Sequence, residues 1–151
     1  MENKAMPIIG GCMCGAVRYE ATEPPQMVGY CHCRMCQKWT GNLFFPYAMF
    51  RNAAFRITQG EPKFYKSSAL VERGFCTNCG TQVCDHYLKG VDHMFATIGS
   101  LDHPEDWPPN EHVGIESQVP WLVIHDDLPR MRTDEDPNFI AAKAAVEQGE
   151  E

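Results

Sequence analysis

The sequence lacks any apolar run of membrane-spanning length. Its longest, Leu43 to Phe50, is eight residues and contains Pro46, whereas a spanning helix needs about 20. The opening Met1-Glu-Asn-Lys-Ala-Met-Pro has no apolar core of the kind a secretory signal requires and carries an acid at its second position. A basic stripe is missing as well, which argues against nucleic acid as a partner. The formal charge is −7, but from Thr133 onward six acids face Lys143 alone, while the first 132 residues hold 14 acids and 12 bases. Acidity therefore belongs to the tail. No repeat, linker or low-complexity segment divides the 151 residues, which are enough for one real core and too few for two comfortable ones. The expectation is a soluble cytoplasmic protein with no membrane and no nucleic-acid partner. It divides into a domain over residues 1–132 and an acidic C-terminal helix or tail over 133–151.

Helix is also scarce. Arg34 to Trp39 reads as one or two turns ending at Gly41, and Asp102 to Trp107 as a turn stopped by Pro108-Pro109. Asp136-Pro137 reads as a cap and first turn for an alanine-rich helix over Asn138 to Gln148, whose thin apolar face predicts loose docking or a solvated terminus. Most of the rest is short and β-like. Strands are expected at Ala16–Ala21, Met27–Cys31, Leu43–Phe50, Phe55–Thr58, Lys63–Lys66, Leu70–Phe75, Gln82–His86, Met94–Ile98 and His112–Glu116, separated by Gly, Pro and Asn. The fold class is mainly β, with short antiparallel sheets and a short C-terminal helix.

Cysteine, by contrast, is abundant. There are eight, and seven fall in three clusters: Cys12-Met-Cys14, Cys31-His-Cys33-Arg-Met-Cys36 and Cys76-Thr-Asn-Cys79. A reducing cytosol keeps thiols free, and such tight spacings suit chelation of a soft cation better than a disulfide framework. Thr-Asn-Cys-Gly-Thr looks like a turn, not the strand-to-helix junction of a thioredoxin-like redox pair. The spacings also match neither common ferredoxin pattern. Two pairs make a closed tetrahedral shell, so Cys12, Cys14, Cys76 and Cys79 are expected to share one Zn²⁺. Closing that loop of about 60 residues costs roughly 3.7 kcal/mol plus a constant, well below the 10–16 kcal/mol or so that a structural zinc supplies.

Cys31, Cys33 and Cys36 can cap one face of a second Zn²⁺ and leave a position open, as catalytic zinc sites do. The alternative is a closed site completed by Cys84, His32 or His86, with Cys84 otherwise a small buried hydrophobe. An open, thiolate-rich zinc is a poor generator of hydroxide but a good host for another sulfur, so making or breaking a carbon–sulfur bond is its natural chemistry. No residue stands out as a general base. His32 reads equally as a proton shuttle or as a hydrogen-bonded structural histidine.

Three segments carry a family likeness: Gly10-Gly-Cys-Met-Cys-Gly-Ala-Val-Arg-Tyr, Cys31-His-Cys-Arg-Met-Cys-Gln-Lys-Trp-Thr-Gly and Phe75-Cys-Thr-Asn-Cys-Gly-Thr. Ser100-Leu-Asp, His112-Val-Gly-Ile-Glu-Ser, Pro120-Trp-Leu and Asp126-Asp-Leu-Pro continue it. At these residues the chain resembles the glutathione-dependent formaldehyde-activating enzyme family, which includes centromere protein V, from about Ile9 to Met131. The resemblance implies a zinc-stapled β-tent. Cys12, Cys14, Cys76 and Cys79 would hold the structural zinc, and Cys31, Cys33 and Cys36 the catalytic one. It also implies a carbon–sulfur lyase that condenses a thiol such as glutathione with formaldehyde or a related small carbonyl, as an S-hydroxymethylglutathione synthase does. Arg34, Lys38, Arg51 and Arg73 are candidate partners for the glutathione carboxylates or else solvated charges, and Trp39 walls a pocket or packs the core. The competing readings are a non-catalytic zinc-stabilised interaction module and a redox or metal sensor using a labile Cys31–Cys36 site.

Overall fold

Short β-branched and aromatic runs, broken by Gly, Pro and Asn, become eleven strands in the computed structural model, which describes residues 6–149. In chain order they are β1 (Ile8–Gly11), β2 (Arg18–Ala21), β3 (Met27–Cys31), β4 (Phe45–Arg51), β5 (Phe55–Gln59), β6 (Lys63–Lys66), β7 (Val71–Phe75), β8 (Gln82–Tyr87), β9 (His93–Thr97), β10 (Glu111–Val113) and β11 (Arg130–Met131). Helix α1 (Arg34–Thr40) follows β3, and α2 (Pro137–Gln148) closes the chain. The fold is mainly β with a short C-terminal helix, as the sequence leads one to expect.

The strands form a small sheet, β1-β2-β5, and a large one, β11-β10-β3-β4-β9-β8-β7-β6. Pairing is antiparallel except at β10, which runs parallel to both β3 and β11. Alternation along β4 sets the layers, since successive side chains leave a strand on opposite faces. Ala48 and Phe50 join Tyr19, Ala21, Val83, Cys84 and Ala96 in the core beneath the small sheet. Phe45, Tyr47 and Met49 join Phe95, Val113 and Cys36 of α1 on the other face. That second face carries the three-cysteine cluster.

Three local outcomes differ from the sequence reading. Gly10 and Gly11 lie in β1, a strand absent from those expected: a Cβ on Gly10 would come within 2.5 Å of the Tyr19 hydroxyl, so glycine here permits close packing. The strand expected over His112–Glu116 ends at Val113, because Gly114 takes φ 70° and the chain turns into a 3-10 helix over Ile115–Ser117. The acidic tail is docked, not a solvated terminus. Asp136 caps α2 by accepting from Asn138 N at 3.0 Å, and Ala142 is fully buried. Gly90, at φ 82°, lets the β8–β9 turn abut the helix, since a Cβ there would lie 2.7 Å from Ala145 Cβ. Docking through small residues suits an alanine-rich face.

Candidate metal centres

The turn between β1 and β2 carries Cys12 and Cys14, and the turn between β7 and β8 carries Cys76 and Cys79. Each pair is followed by a glycine in the left-handed region, Gly15 at φ 82° and Gly80 at φ 80°, which folds the backbone back over the thiols. All four sulfurs lie within 4.8 Å of one another. Cys12 Sγ is 3.5 Å from Cys14 Sγ, and Cys14 Sγ is 3.8 Å from Cys76 Sγ. A tetrahedral shell with metal–sulfur bonds of about 2.3 Å has edges of about 3.8 Å, so these residues fit a zinc ion. Val17 N and Asn78 Nδ2 each donate to a sulfur, Cys12 and Cys14, at 3.2 Å, support of the kind thiolate ligands need.

Cys31 ends β3, Cys33 caps α1 by accepting from Cys36 N at 3.4 Å, and Cys36 completes the first turn. Their sulfurs also lie within 4.8 Å of one another, and no fourth cysteine, histidine or carboxylate among the described residues joins them. Cys84 sits fully buried in the core beneath the small sheet. His86 hydrogen-bonds Glu72 at 2.8 Å, and His32 turns away. Hydrogen bonds from Cys31 and Cys36 hold the Cys33 thiol far below its ordinary value, while the same contact with Cys33 pushes Cys31 up. Three thiolates this close can ionise together only beside a cation, so the donor set fits a soft metal.

What surrounds the cluster was largely hidden in the sequence. Arg73 of β7 is buried, donates from Nη1 to Cys36 Sγ at 3.6 Å and to Asp85 Oδ2 at 2.7 Å, and lies 5.1 Å from the centroid of Trp39. Burial pushes the Asp85 carboxyl up to about 7 against the pull of Arg73. Arg73 is thus neither a solvated charge nor free for a carboxylate. Arg51 reaches Glu23 at 3.4 Å on the surface, and Lys38 is exposed on α1. Trp39 packs edge-on against Phe45.

His32 is fully buried. Its Nε2 lies 2.8 Å from His112 Nδ1, and His112 Nε2 lies 2.9 Å from Asp126 Oδ2. Burial and the neighbouring His112 push His32 down to about 4, so the ring is neutral. His112 and Asp126, both inside the quoted segments, gave no chemical signal of their own because 80 and 14 residues separate the members of this relay. Gln37 Nε2 ties the same turn together by donating to His32 O at 2.6 Å and Ser117 O at 3.0 Å.

Cys31, Cys33 and Cys36 open on a cavity of about 500 Å³. Its walls come from the second face of the large sheet at β4, β7, β8 and β9, the turn at Ser68–Leu70, and Thr133, Asp136 and Phe139 of the tail.

With this geometry in place, the comparison with known proteins is direct. The model of the glutathione-dependent formaldehyde-activating enzyme family matches residues 7–117. The chain belongs to that family. A putative glutathione-dependent formaldehyde-activating enzyme of Halomonas elongata is 27% identical over 129 residues, 79% of this chain and 82% of the relative. An uncharacterised lyase of Schizosaccharomyces pombe is 30% identical over 86 residues, 57% of this chain and 62% of that protein's length. A crystal structure of a Rhodobacter sphaeroides protein covers 82% of this chain and 99% of its own, with a TM-score of 0.53 at 18% identity, a likeness of fold alone.

Proposed function

We propose that this protein is a zinc-dependent carbon–sulfur lyase that condenses a thiol such as glutathione with formaldehyde or a related small carbonyl. On this reading Cys12, Cys14, Cys76 and Cys79 hold a structural zinc, and Cys31, Cys33 and Cys36 hold a catalytic one. The observation that carries the proposal is a cluster of three cysteines, without a fourth ligand among the described residues, facing a cavity. Zinc bound there supplies a centre that keeps a visiting thiol ionised at neutral pH, where a free thiol of pKa about 8.5 is only about 3% thiolate.

The chain's own residues do the rest. Cys36 is supported by the Arg73 guanidinium, which is itself fixed by Asp85 and Ser67. His32, locked by His112, holds the turn between two ligands in one conformation. The mostly apolar walls of the cavity lie beside the reacting carbon. All eight cysteines are free, which agrees with a reducing compartment such as the cytoplasm. No helix of the described residues is long and apolar enough to cross a membrane.

The test is S-hydroxymethylglutathione formation followed against the uncatalysed rate, with zinc content measured in parallel. The expected result is acceleration by protein carrying two zinc ions, lost in Cys33→Ser with the fold retained. One further sulfur should appear at the zinc edge when glutathione is added. Absence of acceleration for every thiol tested would refute the proposal.

A further inference from the structure

The cavity beside Cys31, Cys33 and Cys36 is much larger and more apolar than formaldehyde requires. A one-carbon carbonyl displaces about one or two waters, each with a share of roughly 30 Å³, against a cavity of about 500 Å³. Tyr47, Leu70, Val71, Tyr87, Phe95 and Phe139 line it. The ionisable side chains that reach it are already engaged: Arg73 with Asp85 at 2.7 Å, Asp136 with Asn138 N at 3.0 Å, and His86 with Glu72 at 2.8 Å. Arg34 bonds only the neutral Gln37 and is exposed, so recognition of a carboxylate is confined to the rim. A polar thiol such as glutathione therefore keeps its charged ends outside, and the apolar wall is left to the other reactant.

We infer that this other reactant is an aldehyde bearing an aromatic or branched aliphatic group, which fills the cavity while its carbonyl carbon meets the thiol beside Cys31, Cys33 and Cys36. The inference rests on the thiol–carbonyl reading above and names its electrophile. In the reaction the thiol sulfur bonds the carbonyl carbon, the carbon–oxygen π bond opens, and the thiol proton ends on that oxygen. No oxidant or reductant takes part. Each methylene moved from water onto such a wall is worth about fourfold in affinity, so a five- to seven-carbon aldehyde gains strongly over the one-carbon compound.

The experiment compares formaldehyde, 3-methylbutanal and benzaldehyde with glutathione and the zinc-loaded full chain, each rate divided by its uncatalysed rate. The expected result is at least tenfold greater acceleration for the two larger aldehydes. Leu70→Asp and Phe139→Ala should each lower kcat/KM for these about tenfold more than for formaldehyde. A second readout needs no turnover: ligand-observed NMR should detect unreactive benzyl alcohol on the wild type and weaker binding on Leu70→Asp. Equal or greater acceleration of formaldehyde, or no binding of benzyl alcohol, overturns the inference while the thiol–carbonyl reading stands. Benzyl alcohol bound with no aldehyde accelerated overturns both the reaction and this electrophile.

Discussion

The line Asp126, His112, His32, buried at its two histidines, shows how one residue's charge reaches a metal-ligand turn without touching it. Asp126 accepts from His112 Nε2 through Oδ2 at 2.9 Å and from Leu128 N through Oδ1 at 3.1 Å, and Arg130 Nη1 lies 3.0 Å from Oδ1. The His112 bond, with these neighbours, holds the Asp126 carboxyl below the usual carboxylate range. A depressed folded value means that the charged form is favoured by folding. Its stabilisation is fully present above about pH 4, the unfolded value, and is lost as pH falls through the folded one. Asp126→Asn should therefore be less stable than wild type at pH 7, with the two urea midpoints converging as pH falls below about 4. Midpoints that stay parallel with pH would mean that the carboxylate acts there only through its shape.

At the scale of elements, the turns that deliver cysteines depend on glycine in two distinguishable ways. Gly41, at φ 68°, ends α1 with nothing within 4 Å of where a Cβ would be, so Gly41→Ala meets backbone strain alone, about 1–2 kcal/mol. Gly114, at φ 70°, has Cys33 N at 3.0 Å from that point, so Gly114→Ala adds a clash against the ligand turn. Urea denaturation should show a larger loss for Gly114→Ala, and only this variant should lower the zinc content. The same contrast explains what the sequence made legible. The spacing of the cysteines, the αL end of α1 at Gly41 and the Asp136-Pro137 start of α2 are local signals, and each is readable in the sequence. Arg73 beside Cys36, His112 beside His32 and the role of Gly10 inside β1 depend on strand partners far along the chain, so composition and periodicity carry no trace of them. The end of β10 at Val113 turns on Gly114, whose φ of 70° ends the strand and whose missing Cβ leaves room for Cys33 N, 3.0 Å from where it would sit.

At the scale of the whole molecule the two cysteine clusters do different mechanical work. Cys12 and Cys14 belong to the turn leaving β1 of the small sheet, and Cys76 and Cys79 to the turn leaving β7 of the large one, so a metal there ties the sheets together. Cys31, Cys33 and Cys36 span six residues and close no long loop. Graded chelation should then run in two stages, with turnover lost as the first zinc leaves a folded protein and cooperative unfolding following the second. An unchanged melting temperature after verified removal of both ions would contradict this order. The tail completes the molecule. It supplies Thr133, Asp136 and Phe139 to the cavity, yet its hold on the body rests on small residues, with Ala142 fully buried and Gly90 against Ala145. A long charged side chain at position 142 has no room in that contact. Ala142→Arg should lift α2, making residues 133–149 sensitive to protease and raising KM for the carbonyl partner, while the four-cysteine zinc and the sheet signal in circular dichroism persist. An accessory helix that only decorates the surface would leave KM where it is, so the KM measurement separates a cavity wall from an appendage.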